Sequence, residues 1–161
     1  MADENRFHLA IGSRFENIEL VHVVLKDRME QLGIDKDTQH SVELAMREAL
    51  ANAIKHGNQQ NPAKQVHVDL MVEEGELVIR VEDEGAGFNP DKVRDPLAPE
   101  NILNRNGRGI LFMNKFMDHI HYGSNASGGT VVTLRRRVGP KTGISREISQ
   151  ETPQDPEEKT E

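Results

Sequence analysis

Cysteine and tryptophan are both missing from this 161-residue chain. Without thiols there can be no disulfide framework and no thiolate metal site. Aromatic residues make up 4% of the chain, so a core has to be assembled from Val, Ile, Leu and Ala. For one domain of this length that is lean but sufficient. No apolar run is long enough to span a bilayer, and the N-terminus lacks the apolar stretch of a signal peptide. A cytoplasmic protein with no membrane contact is the expectation. A basic excess is also lacking: 20 Lys and Arg stand against 27 Asp and Glu, for a net charge of −7. That balance argues against direct contact with nucleic acid, which calls for a basic stripe. The one basic run, Arg135-Arg136-Arg137, reads as a solvated strand end. His8, His22, His40, His67, His119 and His121 show no zinc-ligand spacing.

Periodicity supplies the elements. Phe7 to Ile11 alternates loosely and reads as an opening strand, followed by a helical period from Glu16 to Leu32 that Gly33 stops. Asp35 or Asp37 can cap a second helix running to about His56 and ending at Gly57-Asn58. Its apolar stripe is Val42, Met46, Ala49, Leu50, Ala53 and Ile54, roughly opposite Glu48, Asn52 and His56. Val66 to Val72 and Glu76 to Val81 alternate around a turn at Glu73-Glu74-Gly75. From Phe88 to Asn106 regularity is lost, with prolines at Pro90, Pro96 and Pro99; a loop this long is usually functional or mobile. A helix opening at Gly107 and strands near His119–Tyr122 and Thr130–Arg136 complete the pattern, the strands joined at Ser127-Gly128-Gly129. The expected domain is residues 1–138, and residues 139–161 read as a disordered acidic tail.

Three motifs carry chemistry. Glu48 and Asn52 are four apart and neighbour each other on a helix surface, a plausible set of oxygen ligands around magnesium. Asp83 ends a strand just before Gly85 and Gly87; a strand-end carboxylate can accept from an exocyclic amine where glycines let backbone approach a ligand. Gly107 and Gly109 begin a helix, where backbone N–H groups and the helix dipole favour an anion. Arg105 and Arg108 flank it, and guanidinium groups suit phosphate.

Together these motifs resemble the GHKL ATP-binding superfamily with its Bergerat fold, and within it the anti-sigma-factor serine kinases. The segment Glu48-Ala49-Leu50-Ala51-Asn52-Ala53-Ile54-Lys55-His56-Gly57 matches the N-box, Asp83-Glu84-Gly85-Ala86-Gly87 the G1 box and Gly107-Arg108-Gly109 the G2 box. The match runs from about Arg6 to Arg137. The resemblance implies an α/β (α+β) two-layer sandwich: a mixed, mostly antiparallel sheet with helices on one face and a mobile ATP lid. It implies ATP and Mg²⁺ as cofactors. Glu48 becomes the general base, Asn52 the magnesium ligand and Asp83 the adenine-reading carboxylate. Gly85, Gly87, Gly107 and Gly109 line the nucleotide, with Arg105 on the terminal phosphate and Arg108, His56 and Thr130 as further nucleotide contacts. The chain has neither a histidine-bearing dimerisation hairpin nor a transducer domain, so it is expected to act on a partner in trans. The implied partners are a sigma factor and a STAS-domain anti-sigma factor antagonist, phosphorylated on serine or threonine. Relatives of this type are commonly dimers, a state the sequence itself leaves open. The alternative is a nucleotide-gated partner-binding regulator without kinase activity.

Overall fold

Alternation decides the sheet. In the computed structural model, which describes residues 6–87 and 113–139, β1 (Arg6–Gly12), β2 (Gln65–Glu73), β3 (Glu76–Glu82), β4 (His119–Ser124) and β5 (Thr130–Arg137) form one five-stranded sheet. The strand order is β1-β2-β3-β5-β4, and every pairing among the described residues is antiparallel. The register places Val68 opposite Val81, Leu70 opposite Ile79, and Ile79 opposite Leu134. Because successive side chains point to opposite faces, these residues make one apolar surface, and Val68, Leu70, Ile79 and Leu134 are all fully buried.

Two helices cover that surface. Helix α1 (Asn17–Gln31) buries Ile18, Val21, Leu25 and Met29, spaced by three and four residues as an amphipathic helix requires. It stops where Gly33 takes φ +71, which lets the Ile34 N–H bond back to the Met29 carbonyl at 3.0 Å. Helix α2 (Lys36–Asn52) is capped by Asp35, whose carboxylate accepts from the Thr38 N–H at 2.9 Å. Its buried stripe includes Val42, Met46, Ala49 and Leu50. A helical turn at 113–116 adds Met113 and Met117 to the same core. The expected two-layer arrangement is what the chain adopts. No described helix is long and apolar enough to cross a membrane.

The end of α2 departs from the expectation. The α-helix does not run on to His56; after Asn52 it widens into a π-helical turn, Ala53–Gly57. The Asn58 N–H closes this turn on the Ala53 carbonyl at 2.8 Å, five residues back. Such widened turns cluster at functional sites, and the cause here lies in what Gly57 and Asn58 touch. The basic run also resolves differently from a simple solvated end. Arg135 bonds Glu76 across the strand at 3.3 Å, while Arg136 donates to the Phe116 carbonyl and so closes the end of the helical turn.

Candidate functional site

Asp83 leaves the end of β3 and turns inward, with 4% of its surface exposed. Its Oδ1 accepts from the Gly85 N–H at 2.9 Å and from the Thr130 N–H at 3.1 Å. The Asp83 N–H in turn donates to the Thr130 carbonyl at 3.0 Å, which continues the β3–β5 ladder by one rung. Thr130, a sequence candidate, therefore touches Asp83 through its backbone. Oδ2 accepts no hydrogen bond from any described residue. It faces Gly57: a Cβ built there would overlap Oδ2 and come within 2.9 Å of the Asp83 Cβ. At Gly85 a Cβ would overlap the Gly57 carbonyl, and at Gly129 it would overlap the Asp83 carbonyl. Three backbone segments thus close around Asp83, on its carboxylate and its own backbone, at distances only glycine allows. Gly87 is brought against the same cluster, its Cβ position 2.7 Å from the Gly128 carbonyl.

Two asparagines that the sequence reading did not count among the site residues hold this cradle. Asn58 is 1% exposed. Its amide nitrogen donates to Ser13 Oγ at 2.8 Å and to the Gln65 carbonyl at 2.9 Å, while its oxygen accepts from the Glu84 N–H at 2.8 Å. One side chain therefore ties the π turn to the ends of β1 and β2 and to the segment after Asp83. That tie gives the π turn its reason, because a regular α-helical turn would point residue 58 elsewhere on the helix circumference. Asn125 does the same from the β4–β5 loop. Its oxygen accepts from the Ser127 and Gly129 N–H groups, and its nitrogen donates to Glu82 Oε1 at 2.7 Å and to the Asp83 carbonyl at 3.2 Å. Turn-forming Asn residues were visible in both segments, but partners up to 45 residues away are not readable locally.

Asn58→Ala is expected to lower stability by about 2–4 kcal/mol, because it deletes three hydrogen bonds and orphans buried backbone groups. Thermal melting reads this as a drop on the order of 10 °C; a melting point near that of the unaltered protein would remove the clamp from the explanation.

Glu48 and Asn52 lie one turn apart on α2, both half-buried. Burial pushes the Glu48 carboxyl above its ordinary range, against a hydrogen bond from Asn52 and the charges of His56 and Lys55, which pull it down. His56 itself is exposed on the π turn. Tyr122 of β4 belongs to this neighbourhood and was not singled out from sequence: burial, and then the charge of Glu48, push its phenol up. Arg105, Gly107, Arg108 and Gly109, together with the lid from Phe88 to Asn106 and the tail after residue 139, lie outside the described residues.

An open groove lies elsewhere, on the sheet face turned away from the helices. The candidate site is built around Asp83 instead. A buried carboxylate with one oxygen held by backbone and the other without a partner among the described residues, where Gly57, Gly85 and Gly129 leave no room for a Cβ, suits the exocyclic amine of an adenine. Glu48 and Asn52 supply a carboxylate and an amide oxygen, donors that suit a magnesium ion retaining waters.

These features define a nucleotide-binding α/β domain. The family described as the histidine kinase-like ATPase domain matches residues 11–136, and the chain belongs to that family. ATP is accordingly its nucleotide. The chain is similar to the anti-sigma F factor of Geobacillus thermodenitrificans, at 33% identity over 144 residues that cover 87% of this chain and 97% of the relative. It is also 34% identical to the anti-sigma F factor of Geobacillus stearothermophilus, covering 82% of this chain and 92% of that one. Among solved structures, its fold matches the RsbU and RsbW domains of Rv1364c from Mycobacterium tuberculosis with a TM-score of 0.61 at 17% identity. That match covers 83% of this chain and 32% of the longer one.

Proposed function

We propose that this chain is an ATP-dependent protein serine/threonine kinase that also acts as an anti-sigma factor. The observation that carries the catalytic half is the Glu48–Asn52 pair: a half-buried carboxylate one helical turn from an amide on α2, its proton affinity raised by burial. A protein that only bound nucleotide would have no use for a base held there. The regulatory half rests on similarity to proteins named anti-sigma F factors over almost their entire length.

In this reading Asp83 accepts from the adenine amine through Oδ2, while Gly85 and Thr130 keep its other oxygen fixed. Asn52 would hold magnesium through its amide oxygen. Bound magnesium supplies charge neutralisation on the nucleotide phosphates. Glu48 takes the proton from a serine or threonine hydroxyl of the partner as its oxygen bonds to the γ-phosphorus. The bond from that phosphorus to the β–γ bridging oxygen breaks, and ADP leaves. The acceptor is read as a STAS-domain antagonist, and the sequestered partner as a sigma factor. Phosphorylation of the antagonist would release the kinase to bind the sigma factor.

Capture from native lysate in Mg-ADP and in Mg-ATP tests this, with partners and phosphosites identified by mass spectrometry. Recovery of a sigma factor and a small STAS protein, phosphorylated only with Mg-ATP, is the expected result. Partners without phosphorylation would instead establish a nucleotide-gated binder.

A further inference from the structure

Ser13 lies in the turn between β1 and α1, only 1% exposed, and its hydroxyl makes two bonds there. It donates to the Lys64 carbonyl at 2.6 Å and accepts from the Asn58 amide nitrogen at 2.8 Å. A serine hydroxyl has one hydrogen to give. With that hydrogen spent on a carbonyl, the oxygen can only accept, so it must meet the nitrogen end of Asn58. The Gln65 carbonyl, 2.9 Å from the same nitrogen, makes the same demand. The Asn58 oxygen is thereby turned toward the Glu84 N–H, which it accepts at 2.8 Å.

The result is a chain of hydrogen bonds with one allowed polarity: Glu84 N–H to Asn58, Asn58 N–H to Ser13, Ser13 O–H to Lys64. Its first donor belongs to the peptide that joins Asp83 to Glu84, so the chain fixes the backbone directly behind the Asp83 carboxylate. Its middle member follows Gly57, whose backbone stands against Asp83 Oδ2. The Glu84 side chain repeats the tie to β2, accepting the Gln65 N–H at 3.0 Å. Reversing the Asn58 amide would set its nitrogen against the Glu84 N–H and its oxygen against the Gln65 carbonyl. Two such mismatches are costly in a buried site. Alanine at position 13 would fill most of the same space but take away the acceptor that helps to hold the amide in this sense.

We propose that Ser13 is a positioning residue for nucleotide recognition. By fixing which end of the Asn58 amide faces Glu84, it sets the placement of the Asp83 carboxylate, and with it the preference for a base that bears an exocyclic amine. Ser13 acts through Asn58 and the Asp83–Glu84 peptide, from the far side of the cradle. The inference rests on the reading of Asp83 as the adenine acceptor and is independent of phosphoryl transfer.

The test compares S13A and S13T with the unaltered full chain. In nucleotide-free S13A, amide hydrogen exchange at Glu84 is expected to rise about tenfold or more. The neighbouring Asp83 N–H, held by the Thr130 carbonyl at 3.0 Å, should keep its rate, whereas a general loosening of the fold would speed both. Calorimetry with ADP and with inosine diphosphate, which lacks the exocyclic amine, reads the consequence. The preference for ADP should shrink roughly three- to tenfold in S13A. S13T keeps the hydroxyl and should restore both readouts. S13C, whose thiol is a weak donor and acceptor, should fall between them and serves as the second variant should alanine fail to fold. Unchanged Glu84 exchange in S13A, or an undiminished preference for ADP, would overturn the proposal. Equal binding of the two nucleotides by the unaltered chain would instead overturn the adenine reading, and the exchange comparison would then decide the role of Ser13 alone.

Discussion

Glu48→Gln is expected to lower phosphoryl transfer by about two to four orders of magnitude, the usual contribution of a positioned general base. Glutamine preserves the size of the side chain and its contact with Asn52 but cannot take up the hydroxyl proton. ADP affinity should stay within about twofold, since no adenine contact is touched. Burial raises the Glu48 pKa in the folded protein, so the acid limb of the rate profile should lie above the ordinary carboxylate range. Transfer is lost as pH falls through that value. The stability effect has the opposite sense. The folded state favours protonated Glu48, so raising pH through the unfolded and then the folded pKa removes stability, and glutamine relieves that loss at neutral pH. Glu48→Gln should therefore melt no lower than the unaltered protein. Single-turnover transfer across pH checks both halves; undiminished transfer would dismiss Glu48 as the base.

Gly57→Ala should lower nucleotide affinity by about ten- to a hundredfold, the loss of a charge-assisted hydrogen bond worth roughly 1.5–3 kcal/mol. The added methyl overlaps Asp83 Oδ2, the oxygen read as adenine's acceptor. Either Asp83 leaves the Gly85 and Thr130 N–H groups or the π turn shifts and strains the Asn58 clamp. Overpacking of this kind also costs about 1–3 kcal/mol of stability, so calorimetry of ADP binding belongs beside a thermal melt. Unchanged ADP affinity would separate Asp83 from adenine recognition.

Much of the scaffold was legible because it follows from short-range rules. Ile18, Val21, Leu25 and Met29 recur at helical spacing, and all four are buried. Val66, Val68 and Leu70 alternate, and all three meet the core. The halt at Gly33 and a cap at Asp35 or Asp37, of which Asp35 takes the role, were also readable, since each depends on neighbours within one turn. The spacing of Glu48 and Asn52 survives unchanged because both stand inside the regular part of α2. The spacing beyond Asn52 does not survive, and no local pattern marks the change.

By itself, then, the chain's order of residues determined which segments are strands and helices, which face of each is apolar, and which Glu, Asn and Asp are candidates for chemistry. Tertiary structure alone decided that the end of α2 opens into a π turn and that Gly57, Gly85 and Gly129 converge on Asp83, on its carboxylate and its own backbone. It also decided that Asn58 and Asn125 hold that carboxylate in place. The division has one physical cause. Periodicity and capping are set by contacts within a few residues, whereas the bonds that close this site join positions 26, 42 and 47 apart. Those groups meet only after the sheet has brought the ends of β3 and β5 beside the end of α2.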